Sequence, residues 1–230
     1  MLKIKKIKIK KLFLPIFVFG TIYSGISQAV SDRNTIPVAV NLNRVLRMSV
    51  NTGGNIEFTF NTIDDYKNGL SGDANTSAAA NPGGGAGAVA GSESMYITTF
   101  TVAASTKWTL QYGAEEATFI GVDNPASTLA LNNVGFNLAS TGTHAFGTEL
   151  VSAPTTGGTV IADLDVYPTA LIADGANAAA NAGDATDNAF TMTWRVGTAE
   201  GDMNAIKLIE QSATPDRYVT NVLFNLVADN

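Results

Sequence analysis

The stretch Ser105–Gly113, STKWTLQYG, sets Trp108, Leu110 and Tyr112 on one parity and Lys107, Thr109 and Gln111 on the other. Successive side chains of a β-strand point to opposite faces, so this segment reads as a strand with one aromatic, buried face and one wet face. The pattern recurs in residues 189–197, AFTMTWRVG, where Phe190, Met192, Trp194 and Val196 share a parity. It recurs again in residues 217–230, RYVTNVLFNLVADN, which align Tyr218, Thr220, Val222, Phe224 and Leu226. β-branched and aromatic residues dominate these runs, which favours a pleated surface over a helix.

Working outward, Leu46, Met48 and Val50 alternate before Asn51-Thr52-Gly53-Gly54-Asn55, and Ile56, Phe58 and Phe60 alternate after it. Two glycines between alternating runs predict a β-hairpin. Shorter strands are expected near residues 95–104, 117–122, 127–131, 134–138, 143–150, 160–167 and 169–173. Residues 62–70 suit a short helix with Gly69 as its stop. Two small-residue stretches, 71–94 and 174–188, are expected to be long Ala/Gly/Asn-rich loops. Their likeness fits either shared composition or an internal duplication. The fold class expected is all-β: an antiparallel β-sandwich of about ten to twelve short strands.

Charge divides the chain into two unequal parts. Six of its 14 basic residues lie in the first eleven positions, before the apolar run from Leu12 to Tyr23. A basic head, a short apolar centre and the small-residue context Ser27-Gln28-Ala29 form a secretory signal pattern, so residues 1–29 are expected to be removed. The run is too short, and interrupted by Pro15, to span a bilayer as a retained anchor. Residues 30–230 then form the mature domain, expected to be secreted and extracellular or at the cell surface, with no transmembrane segment. Its eight basic residues face all 20 acidic ones. That excess opposes any polyanionic partner, nucleic acid included. The chain has no cysteine, so an exported fold has to hold by packing and hydrogen bonding alone.

Chemistry-bearing constellations are sparse. His144, the one histidine, sits among small turn residues, and no Gly-x-Ser-x-Gly elbow accompanies it. Asp64-Asp65, Glu115-Glu116 and the same-parity pair Asp163 and Asp165 are acids without a sugar-cleft signature. Asp174, Asp184 and Asp187, with Asn177 and Asn181, could supply oxygens to a calcium ion, although their order is not that of an EF-hand. Trp108 and Trp194 suit either a core or stacking platforms for a surface glycan. A non-catalytic protein without a cofactor is therefore expected.

The segment directly after the cleavage site, Thr35–Leu42, alternates Ile36, Val38, Val40 and Leu42 with smaller or polar residues. With this free N-terminal strand and a closing strand at Tyr218, Val222, Phe224 and Leu226, the chain resembles secreted bacterial pilin-like or surface-fibre β-sandwich subunits. The resemblance rests on architecture and about thirty residues at the two ends. It departs from many such pilins in lacking their cysteine pair. What it implies is a structural filament subunit whose partners are copies of itself, with an assembly chaperone as a further partner. The donated strand would be residues 30–43, and the Tyr218–Leu226 strand its acceptor edge or an ordinary core strand. A strand that pairs within its own chain, or a secreted adhesin or carbohydrate-binding module, remains open at this point.

Overall fold

A computed structural model describes residues 37–72, 96–152, 154, 160–175 and 181–229. The chain divides into two units, residues up to Asn41 and Leu42–Asn230. In the first, residues 37–41 carry no regular secondary structure.

The second unit is built of antiparallel sheets. The strands are β1 (Leu46–Thr52), β2 (Leu70–Ser71), β3 (Ile97–Ala104), β4 (Trp108–Ala114), β5 (Thr118–Gly121), β6 (Thr128–Ala130), β7 (Val134–Ser140), β8 (Leu150–Ser152), β9 (Ala162–Asp163), β10 (Thr169–Asp174), β11 (Gly183–Val196), β12 (Tyr218–Val219) and β13 (Val222–Ala228). A six-stranded sheet runs β1-β3-β11-β7-β9 with β2 also on β11. A four-stranded sheet runs β13-β4-β10-β8, and a three-stranded one β12-β5-β6.

Period-two patterning places the core. Burial alternates strictly along β3, and the even residues of β4 from Trp108 to Tyr112 are fully buried. Aromatic rings join the two larger sheets. Trp108 meets Phe190 edge-on with centroids 6.2 Å apart, Tyr112 meets Phe136 edge-on at 5.2 Å, and Phe100 lies 5.9 Å from Phe224. Each such pair adds about 0.5–1.5 kcal/mol beyond the area it buries. That packing, with the sheet ladders, replaces the cross-links a cysteine-free chain cannot make.

The all-β sandwich expectation holds, and several local expectations need correction. The 51–55 hairpin does not form: among the described residues β1 pairs only with β3, and residues 55–60 carry no strand. Gly53 does adopt the positive φ, at 66°, but its role is close passage over Ile97 and Thr98, where the Thr98 hydroxyl donates to its carbonyl at 2.7 Å. Phe58 then stacks on Tyr96 at 4.4 Å instead of turning back along β1. The 218–226 run is likewise two strands, broken at Thr220-Asn221 and shared between two sheets. Residues 160–167 keep only the two-residue β9, and the strand expected over 143–150 is replaced by turns before β8.

The expected short helix is present as α1 (Ile63–Asn68). Thr62 and Asp65 exchange capping hydrogen bonds, and Gly69 ends it at φ 77°. Beyond the outer side of β11, Arg195 Nη1 bonds Glu200 Oε2 at 2.6 Å with both side chains buried.

Removing one partner of a buried pair strands the other charge, at a cost of about 3–5 kcal/mol. Glu200→Gln is therefore expected to lower the urea midpoint sharply, while the double change Arg195→Met with Glu200→Leu retains more stability than either single change. Equal losses in all three variants would contradict this.

Candidate functional site

β13 is an edge strand. It pairs with β4 in continuous register from Val222 opposite Ala114 to Ala228 opposite Trp108, and no strand flanks its other side among the described residues. Exposed edges offer unpaired backbone groups to any passing strand, and proteins normally blunt them with shortness, charge, proline or a bulge. Among the described residues every other edge shows such a device. β1 carries Arg47 and a register shift between Val50 and Thr52. β6 and β8 are three residues long, and β2, β9 and β12 two. β13, VLFNLVA, is seven residues with no charge, proline or bulge.

Its inner face is also incompletely covered. Val222, Phe224 and Leu226 point toward the core but are only half-buried, as are Leu46 and Met48 on β1, the edge of the facing sheet, which approaches β13. Its outer face presents Leu223 and Val227, both exposed, around Asn225, whose amide reaches Gln111 at 3.3 Å. The sequence-predicted acceptor residues Val222, Phe224 and Leu226 thus share one strand. Tyr218 stands apart on β12, its hydroxyl donating to the Thr214 carbonyl at 2.7 Å. Ala228, which completes the inward row, escaped the sequence reading because a single alanine carries no hydrophobic signal.

Of the candidate donor residues, Ile36 lies outside the described residues. Val38, Val40 and Leu42 are 84, 76 and 92 % exposed and belong to no strand. Three consecutive same-parity apolar side chains left in water are a thermodynamic liability unless something covers them. The backbone becomes anchored at Val45, whose N–H donates to Ser105 Oγ at 2.9 Å and whose carbonyl accepts from the Ser105 N–H at 2.9 Å. Just beyond the far end of β13, the Asp229 N–H donates to the Lys107 carbonyl at 2.9 Å. The entry to β1 and the exit from β13 are therefore both tied to the turn between β3 and β4.

The other sequence candidates do not converge. Trp108 and Trp194 are 0 and 5 % exposed, with both indole N–H groups satisfied internally, by the Asn181 carbonyl and Thr98 Oγ1. They belong to the core and offer no face to a sugar. Asp174 pairs with Lys107 at 2.5 Å. Asp184 accepts from the Thr186 and Asp187 N–H groups. Asp187 is held below the usual carboxylate range, first by the Thr143 hydroxyl and then by the Asp184 N–H. Asn177 lies outside the described residues, and no group of three or more acids, histidines or cysteines is placed to hold a metal among those described. His144 bonds Asn188 through Nδ1 at 3.0 Å, a structural partnership. Asp163 is pushed upward by burial and then by its neighbour Asp165.

No known protein family and no curated protein matches the chain. Among solved structures it is similar to a family 123 glycoside hydrolase from Clostridium perfringens at 11 % identity and a TM-score of 0.24. That likeness covers 58 % of this chain and 18 % of the other, so the chain spans less than a fifth of that protein's length.

Two outcomes follow from these placements. Both tryptophans are expected to resist iodide quenching until the chain unfolds; quenching as efficient as that of free indole would contradict their burial. Because the folded-state pKa of Asp163 is raised, its ionisation opposes folding as pH rises above the unfolded value. Asp163→Asn should therefore raise the melting temperature near neutrality, with the gain shrinking as the pH falls and Asp163 takes up its proton.

Proposed function

We propose that this chain is a non-catalytic structural subunit of an extracellular filament or surface layer, exported after loss of residues 1–29 and polymerised by β-strand complementation. The donor is the segment Ile36–Leu42 of one copy and the acceptor is the free edge of β13 in another. The observation that carries the reading is the pairing of two complementary deficits. One is a long edge strand with none of the usual protections and a half-covered inner row, Val222, Phe224 and Leu226. The other is a short alternating segment whose described apolar residues stand in water.

Strand addition relieves both at once. It supplies backbone partners along the edge, and it buries valine and leucine side chains worth roughly 1.5–3 kcal/mol each when fully removed from water. Four such plugs are enough to offset a substantial part of the ordering entropy of a short segment, about 1–2 kcal/mol per residue for the backbone. No cofactor takes part in this scheme. Burial of both tryptophans leaves the glycan-binding reading without its aromatic platforms.

The test begins with the mature, full-length chain. It should form fibres or high-order oligomers by electron microscopy and light scattering, and deletion of residues 30–43 should leave a folded monomer. Val40→Asp in the intact chain is the sharper variant. Val40 is exposed, so the melting temperature of the monomer should hold while assembly is lost. Persistence of polymers in both variants, or a monomeric unmodified chain under every assembly condition, would remove the proposal.

A further inference from the structure

We propose that the outer face of β1 and β3 carries a saccharide site, built for a short glycan segment bearing one carboxylate, with Arg47 as the group that takes the charge. The inference goes beyond the strand-complementation reading and does not depend on it.

The site is a groove of about 260 Å³ lined by Arg47, Ser49, Asn51, Thr101, Ala103 and Ala185. Strand register explains why a hollow forms there. Ser49 stands opposite Thr101, and Arg47 stands opposite Ala103, so the long arginine rises beside a side chain that ends at Cβ. Both ladders of β3 are also interrupted at this place. On one side β1 shifts register between Val50 and Thr52, which leaves Asn51 as the extra residue. On the other, β11 runs from Gly183 to Asn188 while β3 moves only from Ala104 to Val102. Ala103 therefore has no partner on β11, and residues 184–187 leave the ladder, with Ala185 among them lining the groove. Bulges re-aim side chains and recur beside functional sites. Here two irregularities flank one hollow.

The lining decides the class of ligand. It contains no large apolar or aromatic side chain, whereas most small-molecule pockets are lined mainly by such groups. What it offers is two hydroxyls, one amide and one guanidinium. The Ser49 and Thr101 hydroxyls and the Asn51 amide each both donate and accept, as sugar hydroxyls do. Among the described residues no side-chain hydrogen bond or ion pair engages Arg47, Ser49, Asn51 or Thr101. Along β1 these groups succeed one another at two-residue steps, about 13 Å from Arg47 to Asn51. That run is longer than one sugar ring, so the site engages a disaccharide or a longer segment.

Arg47 is the one charge in the lining. The acids beside Ala185 are turned onto other partners. Asp184 accepts from the Thr186 and Asp187 N–H groups, and Asp187 from the Asp184 N–H and the Thr143 hydroxyl. A guanidinium presents a planar fork that a carboxylate meets with two parallel hydrogen bonds. One cation among neutral groups fits a ligand with one carboxylate. A polyanion would bring its remaining charges against a chain whose acids outnumber its bases. Without an aromatic platform each site is expected to be weak, at about the millimolar level. Where copies are joined in a polymer, such sites act together through effective concentration.

The probes are cellobiouronic acid, which is glucuronic acid linked to glucose, and its neutral counterpart cellobiose. Each is titrated into the full mature chain and followed by ligand-observed saturation-transfer NMR, which serves monomer and polymer alike. The acidic disaccharide is expected to saturate and to bind about tenfold more tightly than cellobiose. Arg47→Gln should erase that difference and leave cellobiose binding unchanged, while Thr101→Val should weaken both sugars. Arg47 is exposed and unpaired, so its replacement should not move the melting temperature. Lys67→Gln, which removes an exposed charge on α1, should leave the binding of both sugars as it was. Absence of saturable binding by the acidic sugar, or an affinity that Arg47→Gln leaves intact, overturns the site. Equal binding of a short peptide with a single glutamate and no other charge overturns the saccharide assignment.

Discussion

Trp108 and Asn181 hold one another through every polar group that the tryptophan presents. The Trp108 N–H donates to Asn181 Oδ1 at 3.1 Å, its carbonyl accepts from Asn181 Nδ2 at 2.6 Å, and the indole N–H donates to the Asn181 carbonyl at 2.8 Å. Asn188 adds a fourth bond to that carbonyl, and all three residues are fully buried. In a dry interior each of these groups would be costly if left alone. The cluster pins the first residue of β4 to the chain entering β11, and so ties the two larger sheets at one end. The free edge of the four-stranded sheet follows from that position, because β13 has no strand partner except β4 among the described residues.

Much of the fold was legible in the sequence for a simple reason. Where one face of a strand is buried and the other wet, period two is written directly into residue polarity, as in β3, β4 and the second half of β11. The failures are where polarity and geometry part company. Ile56, Phe58 and Phe60 alternate like a strand, yet they are apolar because they pack individually around Tyr96 and the core margin. A ladder is not what they serve. Of the glycine pair before them Gly53 takes the positive φ the pair signalled and Gly54 does not, and residue order did not show that the backbone would need it to pass over Ile97. Tyr218 and Val222 keep one parity across a break that only tertiary pairing with β5 and β4 reveals.

The candidate site was half legible. The apolar alternation of 36–42 and of 218–226 could be read from the chain alone, whereas the identity of a sheet edge is a property of topology. What residue order did contain, and what could have been used, is the absence of any charge or proline from Tyr218 to Ala228, between Arg217 and Asp229. The acids that could supply oxygens to a calcium ion each have a local partner. Asp184 and Asp187 spend their oxygens on turn N–H groups, and Asp174 on Lys107, so each already has a partner where it stands.

β13 is also the last strand among the described residues, and it joins β4 more than a hundred residues upstream. Such a pairing closes a very long loop, the kind of contact that forms slowly and late. Until residue 228 has been made and delivered, β4 itself is the margin of the sheet, and the uncharged run Trp108–Ala114 lies open along its full length. Loss of β13 and loss of the residues before β1 therefore have very unequal consequences. A nick or early stop near residue 220 bares the aromatic heart of the sandwich, whereas trimming ahead of Val45 leaves every described ladder intact.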